Sequence, residues 1–551
     1  MKQIIECVPN FSEGNNPDII KQITDAIESV KTVKMLDVDP GKATNRTVVT
    51  FVGDPDSVVE AAFRGIKKAS EVIDMRFHKG EHPRFGAADV CPLVPVAGIT
   101  MEETARLARK LAERVGLELG IPVYCYEFAA FNENRKSLAN CRAGEYEGLR
   151  EKLTDPEWKP DYGYAGWNEN TARTGAVAIG ARNFLVAYNV NLNTTSTRRA
   201  NAIAFDIREA GRMVEKDGKK INIPGSLKKV RAIGWFIKEY GIAQISINLT
   251  DITVTPMHVA FDEVCERARE RGLRVTGSEL VGVIPLKAML DAGKYFLRKQ
   301  NRSTGISDDE IIKIAVKSLG LDDLAPFHPR KKIIEYLMEE NSGDRLIDLT
   351  VSGFVDETAS ESPAPGGGSV SALVGAFGAS LGSMVANLSS HKRGWDDRWE
   401  EFSDWAEKGK YFHQELLRCV DEDTHAFNRL MEAMGMPKAS EQEREERQKS
   451  IVMATKNAIN VPFRVMQLAK ESMEVLKAMA ETGNPNSVSD AGVGALCAMT
   501  AVEGAWLNVK INASGFTERE FTERILEQAE AIALSARIKL QEIMDIVHSK
   551  I

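Results

Sequence analysis

The spacing of apolar residues changes character near residue 341, and a chain that does this must fold as at least two units of different class. Up to about residue 300, short β-branched runs alternate with amphipathic helical windows. Ile4–Val8 reads as a strand, Asp18–Val30 as a helix with Ile19, Ile20, Ile23, Ile27 and Val30 on one face, and Thr32–Val38 and Arg46–Val52 as strands around a Pro-Gly turn. A helix over Ser57–Ile73, a strand over Val90–Val96, a helix over Met101–Leu119 and a strand over Pro122–Phe128 follow. From Phe184 the same order restarts: strand Phe184–Asn191, helix Arg198–Arg212, strands Val230–Ile237 and Ile242–Leu249, helix His258–Arg271, strand Arg274–Ile284, then a helix over Leu286–Gln300. This pattern predicts two tandem α/β subdomains of the split β-α-β, ferredoxin-like kind, at 1–180 and 181–300. Letter-level similarity between them is weak, so the repeat is one of architecture.

Residues 301–344 read as a helical linker, interrupted by Pro326 and Pro329 and closed by Asn341-Ser342-Gly343-Asp344, the expected domain seam. Beyond it strand signals vanish. Helical windows near 346–357, 366–390, 397–434, 440–480, 488–513 and 517–549 predict an all-α bundle over 345–551. With 551 residues, 43% hydrophobic and 27% charged, the chain is long enough for several cores and has the balance of a folded protein.

A net charge of −8 with only short basic runs, such as Lys228-Lys229 and Arg330-Lys331-Lys332, argues against a nucleic-acid partner. The seven cysteines are odd in number, scattered and without C-x-x-C spacing, which favours reduced thiols over a disulfide framework or a structural zinc. An acid at Glu6 and the lack of a long apolar run at the start predict no signal peptide. Gly366–Ser390 carries no charge and is long enough to span a bilayer, but it is dense in Gly, Ser and Asn, so no membrane partner is expected.

Between a predicted helix and strand lies His78-Lys79-Gly80-Glu81-His82-Pro83-Arg84-Phe85-Gly86-Ala87-Ala88-Asp89-Val90-Cys91-Pro92. Two of eight histidines fall here, with Arg84 and Asp89. A His-x-x-x-His pair binds metal from one helical face, which Gly80 and Pro83 oppose, so no metal is expected. General acid–base work suits an imidazole better, although an isolated loop histidine is more often structural.

The wording of this segment, together with Val8-Pro9-Asn10-Phe11-Ser12-Glu13-Gly14, Gly180-Ala181-Arg182-Asn183-Phe184-Leu185 and Gly277-Ser278-Glu279-Leu280-Val281-Gly282, resembles glutamate formiminotransferase over residues 1 to about 330. The resemblance implies that His82 is the general base and that folate lies between the two α/β halves, with contacts near Gly163 to Gly175. Asn10, Arg84, Asp89, Arg182 and Asn183 are the further ligand-binding candidates, with Arg84, Arg182 or nearby lysines holding substrate carboxylates. Transfer of a formimino group to N5 of tetrahydrofolate needs one proton removed from N5 and one delivered to the departing amine, which one imidazole can do.

In the bundle, a helix near Trp399–Met434 places Leu416, Val420, Phe427, Leu430 and Met434 on one stripe, expected to be buried. Asp423 falls on that stripe, where a carboxylate must be paired, with an Arg for instance, or functional, whereas Asp421 points elsewhere, expected toward solvent. Ser362-Pro363-Ala364-Pro365-Gly366-Gly367-Gly368-Ser369 opens a small-residue helix whose free amides suit an anion, although such helices often serve only close packing. These stretches, with Ser489-Asp490-Ala491-Gly492-Val493 and Asn508-Val509-Lys510-Ile511-Asn512, resemble formiminotetrahydrofolate cyclodeaminase from about residue 345. The resemblance puts the catalytic aspartate at Asp423 and makes Gly366, Gly367, Gly368, Ser369, Asp490 and Asn508 candidate folate contacts.

Together the resemblances imply a bifunctional folate enzyme of histidine breakdown that acts on N-formiminoglutamate and tetrahydrofolate, the latter a co-substrate and in polyglutamylated form. A cytosolic homo-oligomer is implied. Two alternatives stand beside this reading: the bundle as a methenyltetrahydrofolate cyclohydrolase, or one module as an inactive folate-binding or assembly scaffold.

Overall fold

The computed structural model describes the chain except residues 1–2, 42–44, 81–83, 217–218, 239, 340–344 and 363, so His82 and the predicted seam at 341–344 lie outside the described residues. Two compact units form: Met1–Ala292 with Val316–Asn341, and Gly293–Ala315 with Ser342–Ile551. The stretch read as a linker is divided between them.

The first unit opens with β1 (Ile4–Cys7), β2 (Asn10–Phe11), β3 (Lys34–Gly41), β4 (Arg46–Gly53), β5 (Ala88–Ala97), β6 (Val123–Glu127) and β7 (Val177–Ala181). β1 and β2 are two pieces of one strand parted at Val8-Pro9, where proline cannot donate to the ladder. Both pieces pair antiparallel with β4 on one side and β5 on the other. β3 lies outside β4, and β7 then β6 extend β5 in parallel. Helices α1 (Pro17–Glu28), α2 (Pro55–Val72) and α3 (Met101–Leu119) begin where the sequence caps them: Asn16 and Asp54 each precede a proline at the first helical turn, and Thr100 with Glu103 forms a capping box. Their apolar faces, including Ile23, Ile27, Phe63, Ile66 and Leu111, bury Ile5, Cys7, Phe11 and Phe51 of the sheet.

The second subdomain holds β8 (Val186–Leu192), α4 (Thr197–Ile207), a hairpin β9 (Arg212–Lys216) and β10 (Lys219–Ile223), β11 (Val230–Ile237), β12 (Ile242–Leu249), α5 (Met257–Glu270) and β13 (Val275–Val281). Its antiparallel sheet runs β11-β12-β8-β13. With β1 and β2 counted as one strand and the β9–β10 hairpin left out, the spatial order is second, third, first, fourth in this sheet and in the β3, β4, β1/β2, β5 part of the first sheet, which β7 and β6 extend. The sequence reading carried α4 on to Arg212 and missed the hairpin. The helix stops short because Gly211 takes φ +62°, and a Cβ there would lie 1.8 Å from the Ile223 carbonyl oxygen, a crossing only glycine permits.

The second unit is a bundle of α6 (Gly367–Ser390), α7 (Trp399–Gly435), α8 (Glu441–Thr482), α9 (Val488–Ala513) and α10 (Arg519–Lys550), preceded by a 3₁₀ turn at Leu346–Asp348 and a short helix at Val351–Thr358. Where one helix over 346–357 was expected, Thr350 caps the second piece by accepting from the Gly353 amide, so the two are separate. The glycines of α6 serve close packing: a Cβ on Gly378 would meet the Gly494 carbonyl oxygen of α9 at 2.7 Å. The most apolar window of α6 is 61% buried inside the bundle, as a core helix requires. Leu416 and Val420 of α7 are buried in this core with Met466, Leu476 and Val502. Phe427 and Met434, expected on the same buried stripe, are 37% and 48% exposed, because past Val420 that face of α7 leaves the core.

Candidate active sites

In the α/β unit the loop between α2 and β5 is tied down by its own charged residues. Asp89 is fully buried; its Oδ1 accepts from the Phe85 amide at 3.0 Å and its Oδ2 from the Arg142 guanidinium. Burial raises the Asp89 carboxyl above its usual range, against the pull of Arg142. Arg84 is equally committed. Its Nη1 and Nη2 donate to the two oxygens of Glu147 at 2.8 Å each, and Nη1 reaches Glu145 at 3.2 Å. The guanidinium expected to hold a substrate carboxylate is therefore occupied by carboxylates of this chain.

His78 is held too. Its Nδ1 accepts from Arg84 Nε at 3.3 Å, which leaves Nε2 to donate to the Asn45 carbonyl at 2.8 Å. Burial lowers its pKa, so the neutral ring is favoured. His78 is thereby committed to Arg84 and Asn45. One open cavity adjoins the loop and a second neighbours that cavity. The first, of about 600 Å³, is lined by Lys79, Gly80, Arg84, Gly144, Glu145 and Glu147. The other, about 440 Å³, shares Gly144 and Glu145 and adds Leu138, Ala139, Arg142, Ala143 and Arg231. Gly80 and Arg84, two positions either side of His82 in the chain, both line the first.

The remaining predicted contacts of this unit are mostly structural in their geometry. Asn10 is buried on β2 and donates to the Val8 carbonyl at 2.9 Å. Gly163 and Gly175 take φ +87° and +66°, and a Cβ would fall 2.0 Å from Ile121 O and 2.2 Å from Phe85 O respectively. Asn183 donates to Asp251 at 2.5 Å, and Arg182 Nη1 donates to the Asn183 carbonyl at 3.0 Å. Neither Arg182 nor Asn183 lines the two cavities.

In the bundle, the start of α6 lies against α7 so closely that a Cβ on Gly368 would sit 2.2 Å from Asp423 Oδ1. Ser369 Oγ stands 3.0 Å from Asp423 Oδ2 and 3.0 Å from the Val420 carbonyl oxygen, with Thr424 Oγ1 at 3.3 Å. No cation pairs with Asp423 among the described residues, which sets aside the Arg-paired reading. Burial holds its carboxyl above the usual range, opposed by the hydroxyl and helix-start amide of Ser369. The helix start therefore meets an anion, and that anion is Asp423. Asp421, expected toward solvent, instead accepts the Leu346 amide at 2.8 Å and pins the entry of the chain into the bundle.

Asp423 opens onto a cavity of about 230 Å³ lined also by Ala364, Gly366, Gly367, Gly368, Thr424, Phe427, Leu430, Ala458, Asn508 and Asn512. Asn508 and Asn512 sit one turn apart on α9, and each amide nitrogen donates to a backbone carbonyl, Gly504 at 2.9 Å and Ala458 at 2.7 Å. Both amide oxygens are thereby left as acceptors. Asn512 was not singled out in the sequence, yet its i,i+4 spacing from Asn508 was the available signal. Asp490 stands at the other end of α9, roughly 27 Å away at 1.5 Å per residue, and does not join this cavity within the chain.

A loop beside a cavity in an α/β unit, and a carboxylate without a cation partner among the described residues against a glycine-rich helix start in a bundle, mark a fused protein of two modules with one candidate site in each. The family profiles agree with that division: the N-terminal subdomain of the formiminotransferase domain matches residues 4–182, the formiminotransferase domain residues 187–339, and formiminotransferase-cyclodeaminase residues 350–531. The formimidoyltransferase-cyclodeaminase of Gallus gallus is 44% identical over 96% of this chain and 97% of its own length. The glutamate formimidoyltransferase of Thermoplasma acidophilum is 46% identical over 54% of this chain and 92% of its own length, and the methenyltetrahydrofolate cyclohydrolase of Methylorubrum extorquens 35% over 37% and 97%. The chain belongs to the formimidoyltransferase-cyclodeaminase family.

Proposed function

We propose that the α/β unit transfers the formimino group from N-formimino-L-glutamate to N5 of tetrahydrofolate, and that the helical unit closes 5-formiminotetrahydrofolate to 5,10-methenyltetrahydrofolate with release of ammonia. The observation that carries the second step is the Asp423 cavity. N10 of the folate attacks the carbon of the protonated formimino group (N5–CH=NH2+), the N10 proton passes to the carboxylate, and the carboxyl delivers it to the resulting amino nitrogen, which leaves as ammonia and gives the methenyl cation. A carboxyl with a raised pKa, hydrogen-bonded by Ser369 and free of any competing cation among the described residues, suits both transfers. Asn508 and Asn512 offer acceptors for the N–H groups of the pterin, while Phe427 and Leu430 offer apolar contact.

His82 is the general base of the transferase step on the strength of its motif, supported by the commitment of His78 and Arg84 to other partners. The shared strand order of the two sheets supports a tandem ferredoxin-like transferase unit. Tetrahydrofolate acts as co-substrate, in polyglutamylated form, and the chemistry is acid–base throughout, with no step assigned to a metal. The working protein is a cytosolic homo-oligomer; exposed apolar residues on α6 and α9 such as Phe377, Leu388, Leu507 and Ile511 support the oligomer.

One observation favours a second reading of the bundle, its 35% identity to a cyclohydrolase. Incubation with N-formiminoglutamate and tetrahydrofolate decides: stoichiometric ammonia with the methenyl product supports the proposal. Formation of 5-formiminotetrahydrofolate without ammonia removes the cyclodeaminase step.

A further inference from the structure

With Arg84 tied to Glu147, the α/β unit needs another group to hold the carboxylates of its glutamate-bearing ligands. Arg231 lies exposed on β11 of the second subdomain and makes no hydrogen bond or ion pair among the described residues. Across the cavity of about 440 Å³ stands Arg142 of the first subdomain. Its Nη2 is bound to Asp89, its Nε is buried without a partner, and its Nη1 is likewise unpartnered among the described residues.

The charge around this cavity favours an anion. Of its charged lining residues, Arg142 and Arg231 are cationic and only Glu145 is anionic, and Glu145 already accepts from Arg84 at 3.2 Å. Arg46 adds a further guanidinium within electrostatic reach of Arg142 and Asp89. Arg142 also begins held in place, so little of its side-chain freedom is lost when a ligand binds.

We propose that Arg142 and Arg231, one from each subdomain, form a carboxylate clamp that recognises the glutamate moiety of a transferase ligand. This rests on the transferase reading and deepens it. The chemistry recognised is a glutamate carboxylate, which N-formiminoglutamate and the tail of folate both carry. Glu145 lines both this cavity and the one beside Lys79, Gly80 and Arg84, so the clamp adjoins the motif segment.

The test is steady-state transfer by the full chain with Arg231→Ala, a surface change that leaves the core intact. Loss of a charge-assisted pair raises the KM of the ligand held by roughly ten- to a hundredfold with kcat little changed, and Arg231→Lys restores part of the affinity. Arg142→Lys keeps a cation beside Asp89 but loses the fork, and raises the same KM. A rise confined to N-formiminoglutamate assigns the clamp to the amino-acid substrate. A rise for tetrahydrofolate but not for tetrahydropteroate, which lacks the glutamate, assigns it to the folate tail. Unchanged KM values, or an equal rise for tetrahydropteroate, overturn the clamp. If the unaltered chain transfers no formimino group, the transferase reading itself falls; if it does and Arg231→Ala matches it, only the clamp does.

Discussion

Gly368→Ala places a methyl group into the space now held by the Asp423 carboxylate, the proposed proton carrier. The new Cβ would stand 2.2 Å from Asp423 Oδ1 and 2.5 Å from both Cγ and Oδ2, whereas real contacts of this kind are essentially never under 3.0 Å. The carboxylate must therefore retreat by about 1 Å. It can do so by turning about its own side-chain bonds, so the clash need not spread into the bundle, and alanine is favoured over glycine in a helix by about 1 kcal/mol. Stability is thus little changed while proton transfer is misaligned. A displacement of about 1 Å at a catalytic group costs on the order of 10²-fold, close to 3 kcal/mol of barrier. The assay is ammonia release from 5-formiminotetrahydrofolate, with thermal unfolding followed alongside. Gly367→Ala is the comparison: its Cβ would meet only Asn508 Nδ2 at 3.4 Å, an ordinary contact, and its effect should be about an order of magnitude smaller. Full ammonia release by Gly368→Ala, or equal losses from both variants, would refute the placement of the reacting group.

Three further outcomes are expected. Asp423→Asn lowers ammonia release by roughly 10²- to 10⁴-fold and spares transfer. Because burial raises this carboxyl in the folded state, its ionised form costs stability as pH rises past the usual carboxylate range, so the Asn variant is the more stable protein at neutral pH and loses that advantage in acid; urea titrations at the two pH values check the sign. His82→Ala lowers transfer by roughly 10²- to 10⁴-fold and leaves cyclisation intact, and parallel loss of both activities would show that the base is misassigned. Glu6, buried on β1 with its pKa raised by burial from 4.5 to about 7 against the pull of Arg182, penalises the fold increasingly between those values. Glu6→Gln should therefore add about 3 kcal/mol above about pH 7 and nothing near pH 4, and a stability difference that does not vary with pH would contradict the assignment.

The legible parts of the fold were the local ones. Apolar period placed α3, β11, β12 and α9 at their observed bounds, because that signal acts within a few residues. The α4 boundary escaped because it depends on Gly211 crossing the Ile223 carbonyl, a contact between residues twelve apart. Asp423 was legible for the same local reason: a carboxylate in a helical apolar stripe is costly wherever the helix packs.

What that stripe could not tell was who answers the carboxylate. The choice of Ser369 over an arginine is made 54 residues away, where the glycines of α6 admit α7 to contact. Likewise the motif showed that Arg84 and His78 belong to a working loop, but their commitment to Glu147 and Asn45 arises 63 and 33 residues distant. The sequence by itself determined the change from an α/β region to a helical one, the helix and strand periods and the residue types able to move protons, since all of these follow from short-range sterics and hydrophobic period. Tertiary structure alone decided which arginines are spent and which are open, because charge pairing depends on distances through space that no spacing along the chain encodes.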